Sequence, residues 1–243
     1  MAETGHARNI EHLNTMIAFV TGYGAAYAPS NAAITLAALT AKLTASNTAL
    51  DGVTTAVAPY NAATNARENE FVGIRKLVIR VVNSFAASGA AKNTVEDAKS
   101  FKRKIDGARA KVPKAKPAAP GAPTPVPPTT ISVAQTSYTQ IVEHLDNLIE
   151  LCSGEPLYNP NETPLKVVQL TAKSTALKAA NDGVATAFAP LSNARITRND
   201  VLYAADTGLV DLAGLVKKYV KSLYGGDSPQ YKQISGLEFR AVK

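Results

Sequence analysis

The strongest structural signal in the chain is LTAKLTASNTALDGVTTAVAP (39–59), with its near copy LTAKSTALKAANDGVATAFAP (170–190). Ala is the most frequent residue of the two stretches taken together, and it has the highest helix propensity. Apolar side chains recur at heptad spacing through and beyond both stretches, while the alternation typical of strands is not sustained. The pattern predicts long packed helices, and we therefore expect an all-α fold.

Matching segments follow one another in the same order along both halves of the chain. They begin with IEHLNTMI (10–17) and VEHLDNLI (142–149) and end with VVNSF (81–85) and YVKSL (219–223). Such ordered self-similarity predicts an internal duplication. The offset between the copies grows from about 131 to about 138 residues, and a heptad can enter a helix without rotating its apolar stripe. We therefore expect the region around 202–216 to be helical and packed along one seam.

The two copies are separated by ARAKVPKAKPAAPGAPTPVPPTT (108–130). Proline fixes φ and lacks the amide donor, so this composition predicts a semi-extended spacer. One amphipathic helix cannot bury its stripe alone, whereas four can close a bundle of about 110 residues. We therefore predict two duplicated four-helix-bundle-like domains, residues 1–107 and 131–243, joined by the 108–130 linker.

Each copy divides into four helical segments. The first covers about 8–22 or 134–152, the second begins near Asn31 or Asn161 as N-caps, the third spans about 60–87 or 191–224, and the last begins near Thr94 or Ser228. Gly22 and Gly154 are typical of helix ends, and Ser228 followed by Pro229 is typical of a helix start.

The connection between the second and third segments has two interpretations. Asp51-Gly52 and Pro59 lie there in the first copy, and Asp182-Gly183 and Pro190 in the second. Gly costs about 1 kcal/mol and Pro about 3 kcal/mol in a helix interior, which favours a hairpin or a sharp kink. The unbroken heptad phase instead indicates one kinked rod, and the sequence leaves both alternatives open.

A string of short motifs ends the second copy: SNARITRND (192–200), TGLVDLA (207–213), KKYVKSLYG (217–225) and SPQYKQISGLEF (228–239). In these motifs the second half, mainly residues 160–240, resembles an uncharacterised family of bacterial all-helical proteins. The resemblance implies an all-helical bacterial protein and brings no activity with it. The first copy departs from the pattern, because SPQY has no counterpart near residues 91–97.

The formal net charge is +7. Counted by segment, about +3 lies in residues 1–107, about +4 in the linker, and about zero in residues 131–243. A basic segment could contact nucleic acid or an anionic membrane surface. The cations available for such a contact in the linker are Arg109, Lys111, Lys114 and Lys116. No secretory signal and no membrane-spanning window is recognisable, so we expect a cytoplasmic location.

Two histidines occupy equivalent places in the first helix of each copy, in Glu11-His12 and Glu143-His144. Histidines from duplicated bundles could together ligate a metal ion or haem. Duplication preserves structural residues equally well, so both could instead line a polar edge of the core. The chain does not contain two Glu-x-x-His motifs, the pair that bundles use for di-iron carboxylate sites.

Two sets of cations are candidates for binding an anion. Arg67 and Arg198 recur on one heptad track, and Arg195 lies one turn before Arg198. A half-buried arginine could hold an anionic ligand, or it could pack its stem on the bundle and pair with an acid.

The second set is a basic strip formed by Lys217, Lys218 and Lys221, with tyrosines beside it. It could contact nucleic acid or lipid headgroups, or it could be a solvated helix face.

No catalytic constellation is recognisable. Cys152 follows an acidic helix face and has no histidine one turn away, whereas a nucleophile needs an adjacent base and a lowered pKa. GGDS (225–228) lacks the spacing of a phosphate-binding loop and indicates a helix end and restart.

We therefore expect a non-enzymatic structural or protein-interaction protein, without a cofactor, that binds a protein partner or itself. One alternative is a polyanion binder that acts through the linker lysines, whose binding would weaken steeply with salt. The other is a haem- or metal-binding bundle that uses His12 and His144.

Overall fold

The computed structural model describes residues 4–107 and 135–241. Within these two ranges the chain is helical and contains no β-strand, so the all-α prediction is confirmed. The linker prediction, with its four cations, falls on residues outside the described ranges.

The helices follow the same order in both halves of the chain. A first helix leads through a 3₁₀ turn to a long helix, which is followed by two shorter ones. The helices are α1 (Thr4–Gly22), α2 (Leu36–Phe71), α3 (Ile74–Ala87), α4 (Lys92–Asp106), α5 (Tyr138–Ser153), α6 (Val167–Tyr203), α7 (Leu209–Tyr224) and α8 (Pro229–Ser235). The 3₁₀ turns before the long helices are Ala32–Ile34 and Thr163–Leu165.

Several predicted helix ends are confirmed by local contacts. Helix α1 ends at Gly22, and Gly154 caps the end of α5. The hydroxyl of Ser228 accepts the amide of Tyr231 at 3.1 Å, and Pro229 is the first residue of α8. These signals are local, so sequence alone suffices to place them.

The predicted N-caps of the long helices are only partly correct. The side chain of Asn31 accepts the amide of Ala33 at 2.9 Å, but it caps the 3₁₀ turn rather than α2 itself. In the second half the corresponding position is Glu162 instead of Asn161, and its side chain makes no capping bond.

Of the two alternatives left open at the prolines, the hairpin is wrong and the single rod is observed, because α2 continues through Pro59 and α6 through Pro190. A proline in a helix removes one hydrogen bond, whereas the apolar positions on both sides of each proline stay in register. Val53 of α2 and Val184 and Leu191 of α6 are buried, so packing is available to offset the lost bond.

The breaks come later in the chain than predicted. Gly73, with φ of 81°, separates α2 from α3 in a conformation that glycine adopts without strain. In the second half the turn before α7 passes through Gly208, where an added Cβ would lie 2.6 Å from the carbonyl oxygen of Ala204. Both breaks therefore depend on a glycine, but for different steric reasons.

The prediction that the region around 202–216 is helical is correct in part, because residues 202–203 and 209–216 are helical but a turn over 204–208 interrupts them. Helix α7 buries Leu209, Ala213, Val216 and Val220, and each corresponds to a buried residue of α3 at a constant offset of 135. These α3 residues are Ile74, Val78, Val81 and Phe85. The connection spans residues 72–73 in the first half and 204–208 in the second, and α6 is one residue longer than α2. The longer turn therefore supplies three of the four residues by which the offset rises from 131 to 135, and no heptad is inserted.

The chain forms two compact units, and each takes helices from both halves of the sequence. The first unit comprises Met1–Ala62 and Thr186–Lys243, and the second comprises Ala63–Ala185. This division differs from the predicted one, in which each copy forms its own bundle on one side of the linker. Helices α2 and α6 each contribute residues to both units.

The core of the second unit joins α3, α4 and the end of α2 to α5 and the start of α6. Its fully buried side chains include Val78, Phe85, Ile105, Leu145 and Leu170. Within this unit the apolar faces of α3 and α4 are covered by α5 and by the start of α6.

The core of the first unit is assembled in the same manner from α1, the start of α2, the end of α6, α7 and α8. Leu13 and Met16 of α1 are fully buried there, together with Leu202, Leu209 and Val216 from the second half of the sequence. Each core thus needs residues from both sides of the linker.

Candidate functional site

His12 lies in the first unit and His144 in the second. Nδ1 of His12 lies 2.8 Å from the carbonyl oxygen of Glu238, so it must donate its proton to that oxygen. The imidazole also meets the ring of Phe239 edge-on, with 5.8 Å between the ring centroids. His12 therefore binds the main chain of the segment that follows α8.

His144 is buried on α5 and pairs through Nε2 with the side-chain oxygen of Gln135. Its Nδ1 is buried without a hydrogen-bond partner. Burial lowers the pKa of His144, and the nearby cation of Lys104 lowers it further, whereas the carboxylate of Glu143 acts in the opposite direction. The neutral imidazole is thus the form that the second unit favours.

The two histidines therefore have different surroundings, although they occupy equivalent places in sequence. Among the described residues no group of three or more His, Cys, Asp or Glu side chains is placed to hold a metal ion. A metal or haem site made by both histidines stays a prediction.

Arg67, in the second unit, lies with its guanidinium carbon 4.1 Å from the centre of the Tyr138 ring. That ring in turn meets Phe71 edge-on at 4.7 Å. Nε of Arg67 is buried without a hydrogen-bond partner. The residue packs over an aromatic pair, an arrangement in which the ring face stabilises the cation.

Arg198, in the first unit, is buried, and Arg195 on the same helix is half-buried. Nε and an amino nitrogen of Arg198 both donate to the side-chain oxygen of the adjacent Asn199, at 3.2 and 2.8 Å. The three predicted anion-binding arginines are thus divided between the two units.

The basic strip on α7 is largely engaged in contacts within the first unit. Lys217 donates to the carbonyl oxygens of Ser235 at 3.1 Å and Leu237 at 2.6 Å, and burial lowers its pKa. Lys221 lies 5.7 Å from the ring centre of Tyr231, and Lys218 is exposed. The strip is therefore less available to a polyanion than its sequence indicates.

The tyrosines beside this strip also make internal contacts. Tyr219 meets Tyr27 edge-on with 5.4 Å between ring centroids, and Tyr224 meets Tyr23 at 5.5 Å. Bases of a nucleic acid stack on exposed aromatic faces, and edge-on packing occupies part of these rings.

Cys152 is buried in the core of the second unit. Burial raises the pKa of its thiol to about 12, although a hydrogen bond to Tyr158 acts in the opposite direction. A thiol that stays protonated is a poor nucleophile.

One arrangement that sequence reasoning missed centres on Asn9. Its side chain donates to the carbonyl of Arg240 at 2.8 Å and accepts the amide of Arg240 at 3.1 Å. It also donates to the hydroxyl of Tyr203 at 3.3 Å. The sequence did offer one sign of this arrangement, because Asn9 is a polar residue four places before Leu13 and therefore lies on the buried side of α1.

Asn9, His12 and Lys217 therefore converge on one stretch of chain. We call residues 236–241 the tail segment, and the surface of α1 and α7 that carries these three side chains the α1–α7 groove. The groove lies within the first unit.

None of the helices in the described ranges is both long enough and apolar enough to span a lipid bilayer. Comparison of the chain with protein-family models, with curated proteins and with solved structures finds no match. The function is therefore argued from the residues described above.

Proposed function

We propose that this chain is a non-enzymatic structural or protein-interaction protein that binds a second copy of itself or another protein. The observation that carries the proposal is the exposure of large apolar side chains on α6. In the first unit Ile196 is 57 % exposed and Phe188 47 %. Single exposed apolar residues are common on monomers, but two that lie eight residues apart on one helix are consistent with a surface that a partner covers.

An apolar groove in the first unit supports the same proposal. It encloses about 340 Å³ between α2 and α6. Small or aliphatic residues form most of its lining, including Ala45, Ala49 and Gly52 from α2 and Ala194 and Val201 from α6. Such side chains allow a partner helix to approach closely, as in helix-in-groove recognition.

The surroundings of the potentially reactive side chains support a non-catalytic role. Cys152 is buried with a raised pKa, and Lys217 is bound to main-chain carbonyls. His144 is buried against Gln135. Groups held in this way stabilise the fold and are poorly placed to act on a substrate.

We also propose that the two halves arose by tandem duplication of one helical unit. The conserved hydrogen bonds of Tyr27 to Ile34 and of Tyr158 to Leu165, both 2.7 Å long, support this origin. The equivalent burial patterns of α3 and α7 support it further.

Self-association is tested by sedimentation equilibrium of the purified full chain over a wide range of protein concentration. We expect the average mass to rise with concentration and to change little when salt is increased, because apolar contacts are weakly screened. Phe188→Ser and Ile196→Ser should lower the association, whereas the matched exposed control Asn193→Ala should not.

Two results would contradict this form of the proposal. One is a monomer at every concentration. The other is binding to heparin or to anionic vesicles that weakens steeply with salt, which would favour the polyanion alternative.

A further inference from the structure

The tail segment is held almost entirely through its main chain. Asn9 pairs with both main-chain groups of Arg240, and His12 donates to the carbonyl of Glu238. Lys217 donates to the carbonyl of Leu237. Contacts of this kind recognise an extended backbone whatever its sequence, as in other modes of peptide recognition.

The α1–α7 groove contains a buried polar side chain that needs a bound chain segment to satisfy its hydrogen bonds. Asn9 is only 2 % exposed, and its hydrogen bonds go to Arg240 and to the hydroxyl of Tyr203. Without the tail segment, its carbonyl oxygen and one amide hydrogen would lose their partners. A buried polar group without a partner costs about 1–3 kcal/mol, so the groove is stabilised by any chain that supplies the same main-chain groups.

The tail segment itself contributes little to the core. Residues 237–241 form no helix, and none of them belongs to the buried core of the first unit. Leu237 and Phe239 are partly buried and pack against that core from outside. A cavity of about 160 Å³ beside the segment, lined by Gly5 and Arg8 among others, shows that its packing is incomplete.

The side chains of the segment add a simple pattern to this backbone recognition. Phe239 packs between two groove residues, with its ring 5.8 Å from the imidazole of His12 and 5.6 Å from Nζ of Lys217. Leu237 lies two residues earlier on the same partly buried side, while Glu238 between them is exposed. The groove therefore fits an aliphatic residue and an aromatic residue separated by one exposed position.

We propose that the α1–α7 groove is a binding site for an extended peptide segment of this aliphatic-x-aromatic pattern, and that the tail segment occupies it in cis until a partner's segment of the same chemistry replaces it. This inference rests on the proposed interaction function and names a site for it. Displacement exchanges one set of main-chain hydrogen bonds for an identical set. The tethered segment competes at an effective concentration in the millimolar range, so the intact tail keeps weak ligands out.

The test uses the full chain and a fluorescent peptide with the sequence of residues 235–241, SGLEFRA. In the Leu237→Ala/Phe239→Ala double variant the tethered segment loses its side-chain contacts, and the peptide should bind at least about tenfold more tightly than it binds the unaltered chain. Circular dichroism of the double variant should stay helical, since neither residue belongs to the buried core.

Two matched controls define the site. A peptide in which Phe239 is replaced by alanine should bind the double variant weakly, and adding His12→Ala to the double variant should weaken binding of the SGLEFRA peptide. His12 is half-buried at the groove edge, so its replacement tests the contact without opening the core.

The proposal is overturned if a helical double variant binds the peptide no better than the unaltered chain does. It is also overturned if the affinity for the peptide changes neither when the peptide's phenylalanine is replaced by alanine nor when His12→Ala is added to the double variant. Both readouts are independent of self-association through α6, so either proposal can fail while the other stands.

Discussion

The hydroxyl of Tyr158 donates a buried hydrogen bond to the carbonyl of Leu165 at 2.7 Å. Tyr27 makes the same bond to Ile34, again seven residues later and at 2.7 Å. Each bond fixes the turn that leads into a long helix. Both tyrosines are buried, so these carbonyls have little access to water.

We expect Tyr158→Phe and Tyr27→Phe each to lower the free energy of unfolding by about 1–2 kcal/mol, because each leaves a buried carbonyl without its donor. Urea denaturation followed by circular dichroism measures the change. Tyr231→Phe is the matched control, because its ring also packs against the core of the first unit while its hydroxyl fixes neither turn. Losses confined to one of the two variants would contradict the equivalence of the turns.

Acid should destabilise the chain through His144. Its pKa is lowered from 6.5 in the fold, so the unfolded chain takes up the proton at a higher pH than the folded chain does. The stability that this group contributes is complete above pH 6.5 and decreases as the pH falls below that value. Unfolding by urea at a series of pH values should show this decrease, and His144→Gln should reduce it.

Glu143→Gln provides the opposing control for that experiment. Its carboxylate raises the pKa of His144, so its removal should depress that pKa further and enlarge the loss in acid. If His144→Gln left the acid dependence unchanged, His144 would not be its source.

Replacing the internal prolines should stabilise the chain. Pro59 and Pro190 are exposed and lie inside α2 and α6, where alanine restores the missing amide donor. We expect Pro59→Ala and Pro190→Ala each to raise the free energy of unfolding by about 1–3 kcal/mol. Pro229→Ala is the matched control and should bring no such gain, because the first position of a helix tolerates proline. Thermal melts would check this, and unchanged or lower midpoints for both internal variants would contradict it.

Cutting the linker should leave the two halves bound to each other. Each core combines residues from both sides of the linker, as Phe85 and Leu145 do in the second unit. With a protease site inserted in the linker, the cleaved pieces should co-elute from a size-exclusion column and separate in denaturant. The uninserted chain, treated with the same protease, is the control. Pieces that separate under native conditions would show that each copy folds by itself.

Sequence patterns were sufficient for the helical fold and for several helix ends, such as Gly22 and Ser228, because capping residues and periodic apolar positions act locally. They left the choice between a hairpin and a single rod open at Pro59, because the cost of a proline in a helix is offset by packing that only the tertiary structure reveals. The break at Gly73 was missed because apolar residues at heptad spacing, such as Phe71 and Ile74, continue on both sides of it. Propensity alone did not show that Gly73 needs a positive φ.

The partners of each helix were beyond sequence reasoning for a different reason. Two halves with similar apolar patterns offer each apolar face two alternative partners. The pattern of α3 therefore does not specify which half of the chain covers it. The candidate site was missed on the same ground. His12 and Lys217 were identified as candidates from their own side-chain chemistry. Both bind the tail segment, and this shared contact depends on the packing of α1 beside α7, which the sequence does not reveal.

Interleaving of the two halves has a consequence for synthesis on the ribosome. When α1 to α4 have left the exit tunnel, the helices of the second half that complete the cover of Leu13 and Val78 have not yet emerged. The nascent chain must therefore expose part of these apolar surfaces to solvent or to chaperones until α5, α6 and α7 emerge. A premature stop within the linker would leave a product with no completed core, a natural substrate for proteolysis.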